Sequence, residues 1–512
     1  MEIQQLEFLK HLLRPKRHVY LDHNATTNVS SHVRRTMNHV LKNFYGNPSA
    51  LYGIARKSVG IMEEARQHVA DAIHAEPHEI YFTGCATESN NAVLKSVSNY
   101  FYPRKKKIIS LPIEHPSVIN TLEFLKTQGI VVQYCPVDRQ GRVLPAELEK
   151  LIDENTFLVC CMLANNEIGT IQDIATITKI AARHNVLVLS DCVQALGKIP
   201  IDVRGWGIDY ASFSAHKLYG PKGVGALYVK RGSPFAPFMH GGHQENGMRA
   251  GTESLHNIAG FGAACQDIDK LLAHTEQIRV LKRQLVQLLK EIKTDCVINS
   301  PEADCLPNTL SITFPNLNHT ELLAMLDYHG IAVSAGSACS TKEDSPSYVL
   351  KAIGLSDQAA QETIRISLGC STSARDIRYV TGVFQDYIEG RTMFVNMITP
   401  AQLDETILFA EQTYILDVRP QFLRRKFKSL PNSHEVSFVA IEKYLHQLPK
   451  DKHILVVCQH GNLSYIMAYY LKAKGFEYVS SLRNGVGGWK KRRSDLYQKY
   501  AGQNVTVLKP AR

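Results

Sequence analysis

The sequence predicts an α/β protein with three parts: a large domain on a mostly parallel sheet, a smaller α/β domain, and a separate C-terminal α/β unit. Three observations carry this prediction. Short apolar, β-rich runs alternate with helical-period segments through the first half of the chain. The texture changes after Gly251, where a long helical stretch leads into a second α/β region. The last quarter then repeats the strand–helix alternation with a charge balance of its own.

Taken in order, the N-terminal Leu6, Leu9, Leu12 and Leu13 have the spacing of a short amphipathic helix, and Glu2 and Glu7 argue against a transit peptide. Buried strands are expected at Glu79–Thr83, Lys107–Leu111, Ile130–Tyr134, Thr156–Met162, Val186–Ser190 and Gly225–Val229. Helical segments fall between them, as at His115–Gly129 and Ile174–His184. Cys160 and Cys161 are adjacent within one apolar run, so their side chains should point to opposite faces of a strand. A helical stretch over Ser254–Lys293 precedes a strand at Asn308–Phe314. The expected boundaries are 1–390 for the first two domains, 391–400 for a linker and 401–512 for the third unit. Within 1–390 the large domain covers about 20–255, and the small one about 256–390 together with the N-terminal segment. The third unit should contain strands at Tyr414–Val418 and His453–Val457, with a helix over 439–448 between them.

Composition narrows the class. Apolar residues make up 44% and charged residues 21%, which suits a globular enzyme and excludes a disordered or collagen-like chain. No run approaches the ~18 apolar residues of a membrane span. Eleven cysteines, scattered and without a C-x-x-C pair, read as reduced thiols in a cytoplasmic protein, with no metal site. The net charge of +10 is confined to one end. Residues 391–512 hold 19 basic and 9 acidic side chains, while 1–390 are balanced. A basic module of this kind could meet an acidic protein, a nucleic acid or a membrane surface, of which the membrane is the weakest fit and is not expected as a partner.

Two constellations carry chemistry. The strand over Val186–Ser190 runs into Asp191, with Gln194 just beyond, and Ser212-Phe213-Ser214-Ala215-His216-Lys217 follows before a Gly/Pro-rich turn. A lysine that can form a Schiff base, and a carboxylate that keeps a pyridine nitrogen protonated, are what pyridoxal 5'-phosphate chemistry requires. The strand–turn–helix at Thr83–Asn91 offers backbone N–H groups at a helix start for a phosphate. The second constellation is Val456-Val457-Cys458-Gln459-His460-Gly461, a cysteine at a strand end in a loop that opens a helix. Such a loop aims N–H groups at its sulfur and stabilises a thiolate or persulfide.

The motifs YLDHNATT (20–27), YGNPSA (45–50), ATESNN (86–91), EHPSV (114–118), NNEIGTIQD (165–173), SFSAHKLYGPKGVGALYV (212–229), GMRAGT (247–252), SAGSACS (334–340) and IRISLG (364–369) resemble those of group I, NifS/IscS-like cysteine desulfurases. These are fold-type I enzymes of aminotransferase class V. The resemblance implies pyridoxal 5'-phosphate linked to Lys217, His115 stacked on its ring and active in proton transfer, Asp191 on the ring nitrogen and Gln194 on the ring oxygen. It implies that Ala86, Thr87, Ser214 and His216 hold the phosphate, and that Thr252 reaches the phosphate of the other subunit of a homodimer. Asn166 and Arg365 are implied to bind the substrate carboxylate, and Cys339 to take sulfur from L-cysteine as a persulfide, leaving alanine.

Residues about 396–495 resemble a single rhodanese domain, with Cys458 as its sulfur-carrying cysteine. Sulfur is then expected to pass from Cys339 to Cys458 and on to an acceptor: an iron–sulfur scaffold, a sulfur carrier protein or a tRNA-modifying partner. The chain departs from these patterns at Cys85, Tyr52, His243, Asn246 and Cys370, and at Leu463, where the rhodanese loop usually has arginine. That last change counts against thiosulfate turnover. The residues leave open a related class V activity (selenocysteine lyase or aminotransferase) and a non-catalytic sulfur scaffold. A keto-acid product with no need for Cys339 would mark an aminotransferase.

Overall fold

A computed structural model describes residues 17–317, 319–335, 346–390 and 395–508. Strand β1 (Val19–Tyr20) opens the described chain. Seven strands then build the large sheet: β2 (Ile80–Thr83), β3 (Lys107–Ser110), β4 (Val131–Tyr134), β5 (Thr156–Cys160), β6 (Leu187–Asp191), β7 (Tyr210–Ser214) and β8 (Gly225–Val229). Their spatial order is β2-β8-β7-β6-β5-β3-β4. Only β8 runs against its neighbours; the other pairs are parallel. Strands β5, β7 and β8 are buried along their whole length, as expected of strands covered by helices on both faces. Alternation works as the sequence implies. Ile108, Leu158 and Cys160 pack on one face, and Ile109, Val159 and Cys161 on the other.

The small domain has β9 (Val297–Ile298), β10 (Thr309–Thr313), β11 (Ile331–Ala332) and β12 (Thr363–Ser367). Strands β12, β10 and β9 form an antiparallel sheet, while β11 pairs in parallel with β1. The described chain therefore opens against the small domain, through the pairing of Val19–Tyr20 with Ile331–Ala332, and crosses to the large one. The helical stretch expected at 254–293 is two helices, Leu255–Gln266 and Ile268–Ile292, broken at Asp267. The Asp267 carboxylate accepts from Lys270 and is paired with His32 of another helix, so a tertiary contact fixes the break.

The C-terminal unit has six parallel strands: β13 (Asn396–Ile398), β14 (Thr413–Asp417), β15 (Ser433–Glu435), β16 (His453–Val457), β17 (Val479–Leu482) and β18 (Thr506–Val507). Their order is β13-β17-β16-β14-β15-β18. This corrects the linker expected over 391–400. Residues 391–394 lie outside the described residues, but Val395 is buried and Asn396–Ile398 pair with Ser480–Leu482. The segment 439–448, expected as an ordinary helix, lies largely in tight 3₁₀ turns over Phe438–Gln447.

The unit is joined to the small domain by an aromatic contact. Tyr328, ending the helix His319–Tyr328, lies 3.9 Å (ring centroids) from Tyr469 on the helix Asn462–Ala473. Among the described residues no helix is long and apolar enough to cross a membrane.

Candidate active site

The C-terminal ends of the parallel strands of the large sheet converge on one edge, the position where open α/β sheets place their sites. Strand β6 ends in Asp191, β7 in Ser214, β3 leads to His115, β5 to Asn166, and β2 to the turn before Ala86. Lys217 follows β7 in a single 3₁₀ turn, Ala215–Lys217. The structure thus gathers at one edge residues that span more than a hundred positions of sequence.

Each group is held. Lys217 Nζ donates to the carbonyls of Asn24 (2.5 Å) and Ala25 (2.8 Å). Asp191 is buried; its Oδ1 accepts from Val193 N (3.0 Å) and its Oδ2 from Asn90 Nδ2 (2.9 Å). Asn90 also donates to Ser117 Oγ (2.9 Å), which lies 2.8 Å from His115 Nδ1. His115 is the N-cap of the helix Pro116–Lys126, and Nδ1 accepts from Ser117 N (3.1 Å). That bond needs the Nδ1 lone pair, so the neutral ring carries its proton on Nε2. Burial lowers the His115 pKa below the ordinary histidine range, against the pull of Asp191 and with the help of Lys217. Asn90 and Ser117 therefore link Asp191 to His115.

Gln194 donates through Nε2 to Asn24 O (3.0 Å), while its Oε1 accepts from Lys198 Nζ (2.6 Å). Burial, and then the charge of Lys217, push the Lys198 ammonium well below its usual pKa. Glu114, beside His115, is fully buried; burial pushes it up to about 8, against a hydrogen bond from Met162 N. Asn24, Asn90, Ser117, Lys198 and Glu114 form this supporting shell. None was singled out from sequence, although Asn24, Asn90, Glu114 and Ser117 lie inside the quoted motifs.

The phosphate end is a helix start. Ala86 opens the sixteen-residue helix Ala86–Phe101, and its N–H donates to Ser214 Oγ (3.0 Å). His216 Nδ1 lies 3.1 Å from Thr26 Oγ1, and burial lowers its pKa to about 4. Gly225 keeps this turn open, because a Cβ there would lie 2.5 Å from Phe213 O and 2.8 Å from the Cys85 carbonyl carbon. Thr252 is exposed. Its segment is anchored by Arg249, which pairs with Glu88 (2.8 Å) in the first turn of the same helix. These features fit pyridoxal 5'-phosphate. A lysine on main-chain carbonyls, a fixed carboxylate and a small-residue helix start with hydroxyl and imidazole neighbours face one edge of the sheet. Lys217, Asp191, Gln194, Ala86, Ser214 and His216 would hold it.

Arg365 lies on β12 and is 2% exposed. Its Nη1 donates to Asn166 O (3.0 Å) and its Nη2 to Asp22 Oδ1 (2.7 Å), while Nε is buried with no hydrogen-bond partner among the described residues. The Asn166 side-chain amide bonds no described residue. The two are adjacent, as a shared carboxylate ligand requires. Cys339, expected as the nucleophile, lies outside the described residues. The ten described cysteines are all free thiols.

In the C-terminal unit, Cys458 follows β16 and is 2% exposed. Gly461 N donates to its sulfur (3.1 Å). Gly461 has φ +95°, and a Cβ there would lie 2.7 Å from Asn484 N, so the loop needs glycine. Gly485 has φ +57°, and a Cβ there would lie 2.3 Å from Cys458 O. Arg419 is fully buried, chelated by Asp417, and donates through Nη1 to Gln459 Oε1 (3.0 Å). Leu463 packs into the core of the unit. The usual guanidinium position is therefore spent on packing.

The geometry defines a pyridoxal-phosphate type of α/β enzyme with a second cysteine-loop domain. The aminotransferase class-V family model matches residues 19–380, and the rhodanese-like domain model matches 399–492. A cysteine desulfurase, IscS, of Dictyoglomus turgidum is 40% identical over 378 residues, covering 73% of this chain and 95% of that protein. The IscS of Methanosarcina thermophila is 38% identical over 373 residues, 72% of this chain and 92% of the relative. Among solved structures, a NifS-like protein superposes with TM-score 0.69 at 40% identity, and one from Rickettsia africae with 0.66 at 32%. Each covers 73% of this chain and all of the solved chain. The chain belongs to the cysteine desulfurase family of class V aminotransferases, which is pyridoxal-phosphate dependent, and carries a rhodanese-like domain after it.

Proposed function

We propose that this enzyme takes sulfur from L-cysteine onto Cys339, passes it to Cys458 within the same chain, and works as a homodimer. The observation that carries the reading is Lys217, Asp191 and His115 gathered at the strand ends, the last two linked through Asn90 and Ser117, with Arg365 and Asn166 beside them. Pyridoxal phosphate bound there supplies an electron sink that labilises the Cα–H bond of an amino acid. The chain supplies the rest. Arg365 and Asn166 hold the substrate carboxylate. His115 presents Nε2–H as a proton donor, and its lowered pKa keeps the ring neutral near pH 7. The Cys339 thiolate attacks the substrate sulfur; the C–S bond breaks, an S–S bond forms, and the carbon skeleton leaves as alanine.

Relay to Cys458 is a thiol exchange. The Cys458 thiolate attacks the outer sulfur of the Cys339 persulfide, and Cys339 leaves as a thiolate. The N–H of Gly461 on Cys458 Sγ supports the negative sulfur at each stage. A tethered acceptor sees a high effective concentration of donor, and the Tyr328–Tyr469 contact sets the second domain against the first. The final acceptor is a protein scaffold or carrier, or a partner that modifies tRNA, met in the cytoplasm. Thr252, exposed on its own subunit, serves the phosphate end of the other one.

The test is conversion of L-cysteine to alanine and sulfide in the presence of a thiol reductant. Formation of a keto acid without alanine contradicts the reading. Arg365→Ala should raise KM for L-cysteine and lower kcat/KM by about 10- to 100-fold, the scale of charge-assisted hydrogen bonds. Steady-state kinetics on the folded variant check this.

A further inference from the structure

We propose that the rhodanese-like domain carries an RNA-binding surface beside the Cys458 loop, formed where two basic segments distant in sequence converge. The first segment holds Arg425, Lys426 and Lys428, in and just after the helix Gln421–Lys426. The second holds Lys490, Lys491 and Arg492, the end of the helix Gly485–Arg492. Phe427 joins them. The Lys426 ammonium lies 5.7 Å and that of Lys490 5.8 Å from its ring centroid. All six cations are exposed, and none forms an ion pair or hydrogen bond with another described residue. Other cations of the domain behave differently. Arg419, Arg424, Arg493 and Lys499 pair with Asp417, Glu435, Asp495 and Glu405. The domain's paired carboxylates are thus taken up elsewhere, and this ridge is left positive.

The ridge adjoins the sulfur site. Val486 N donates to Cys458 O (2.8 Å) and Gly487 N to Gln459 O (3.0 Å) in the first turn of the helix that ends in Lys490–Arg492. At ~1.5 Å per residue, Lys490 is about 6 Å along the axis from Val486. On the other side, Arg419 bonds Gln459, and the helix with Arg425 and Lys426 starts two residues later. Cations also complement the C-terminal end of a helix dipole, but that effect is confined to the last turn and does not account for Lys428 beyond it.

RNA fits this surface better than an acidic protein does. Neighbouring cations, none ion-paired with a described residue, match a backbone bearing one charge per nucleotide. Phe422 is 68% exposed, and together with the lysine-flanked Phe427 it offers aromatic faces of the kind on which bases stack. The proposal rests on the relay reading only for what bound RNA would be used for; binding is measured separately from sulfur transfer.

The test is fluorescence anisotropy of the full-length holoenzyme with unfractionated tRNA from 50 to 200 mM salt. Six phosphate contacts give a slope of log K against log salt of about −4 to −5, roughly a thousandfold loss over that range. The variant K490Q/K491Q/R492Q should flatten the slope by about 2–3 and weaken low-salt binding at least about tenfold. Its conversion of L-cysteine to alanine should be unchanged, and an unchanged thermal unfolding profile by circular dichroism shows that the rhodanese-like domain is folded. Equal tRNA affinity in the variant, or absence of salt-dependent tRNA binding by the parent, overturns the proposal. Binding of poly-L-glutamate in preference to tRNA overturns it in favour of an acidic protein partner.

Discussion

Lys217→Ala protein is expected to be colourless and to lose conversion of L-cysteine by roughly four or more orders of magnitude, the scale of removing a covalent catalytic group. Lys217 is the amine placed after β7 at the strand-end edge, and its Nζ rests on the carbonyls of Asn24 and Ala25. Alanine also leaves those carbonyls without this donor, so Lys217→Arg is the companion variant. It keeps a cation at the carbonyls but lacks the primary amine, and should be folded, colourless and inactive. Absorbance spectra and alanine production read both. A yellow Lys217→Ala protein would remove the lysine from its assigned role.

Asp191→Asn should give a different pattern: a protein that stays yellow yet is slowed by at least about 10²- to 10³-fold in kcat, the range seen when a preorganised electrostatic group is lost. The carboxylate receives Val193 N on one oxygen and Asn90 Nδ2 on the other. A carboxamide has only one acceptor oxygen, so one of these donors loses its partner, and the negative charge is gone. The lysine link and the phosphate cradle are untouched, so cofactor content should hold. The Asn90–Ser117–His115 path carries the disturbance further, and the kcat–pH profile should change along with the rate. An unchanged profile with near-normal kcat would mean that the carboxylate does not act on the ring nitrogen.

Much of this arrangement was readable in the residues. Six of the seven large-sheet strands fall within two residues of the apolar runs, while β7, the strand before Lys217, has no counterpart among them because its sequence YASFS is not continuously apolar. Lys217, Asp191, His115 and Arg365 sit in motifs whose chemistry is explicit. The supporting shell was harder. Asn24 O meets Lys217 and Gln194 across more than 160 residues of chain, and no local pattern reports such a contact. Lys198 lies in none of the quoted motifs, yet its ammonium is directed at Gln194.

The linker expected over 391–400 is too long for a related reason. Asn396–Ile398 is only three residues, and its partner strand begins at Val479. Tertiary pairing, rather than propensity, makes it a strand. The periodicity of 254–293 runs on as one helix, whereas the break at Asp267 depends on His32 from another helix. In the second domain, Cys458 and its glycines were visible in sequence. That Arg419 is committed to Asp417 and Gln459 was not.

The central claim, that one chain takes sulfur from cysteine and moves it between two of its own thiols, is tested most directly by following sulfur. Enzyme given ³⁵S-labelled L-cysteine without reductant, then digested and mapped by mass spectrometry, should carry labelled persulfide on the Cys339 and Cys458 peptides. Cys458→Ser should keep alanine formation and label on Cys339 alone, and Cys339→Ala should label neither. Label that never reaches Cys458 in the parent protein, or that reaches it in Cys339→Ala, would contradict the account.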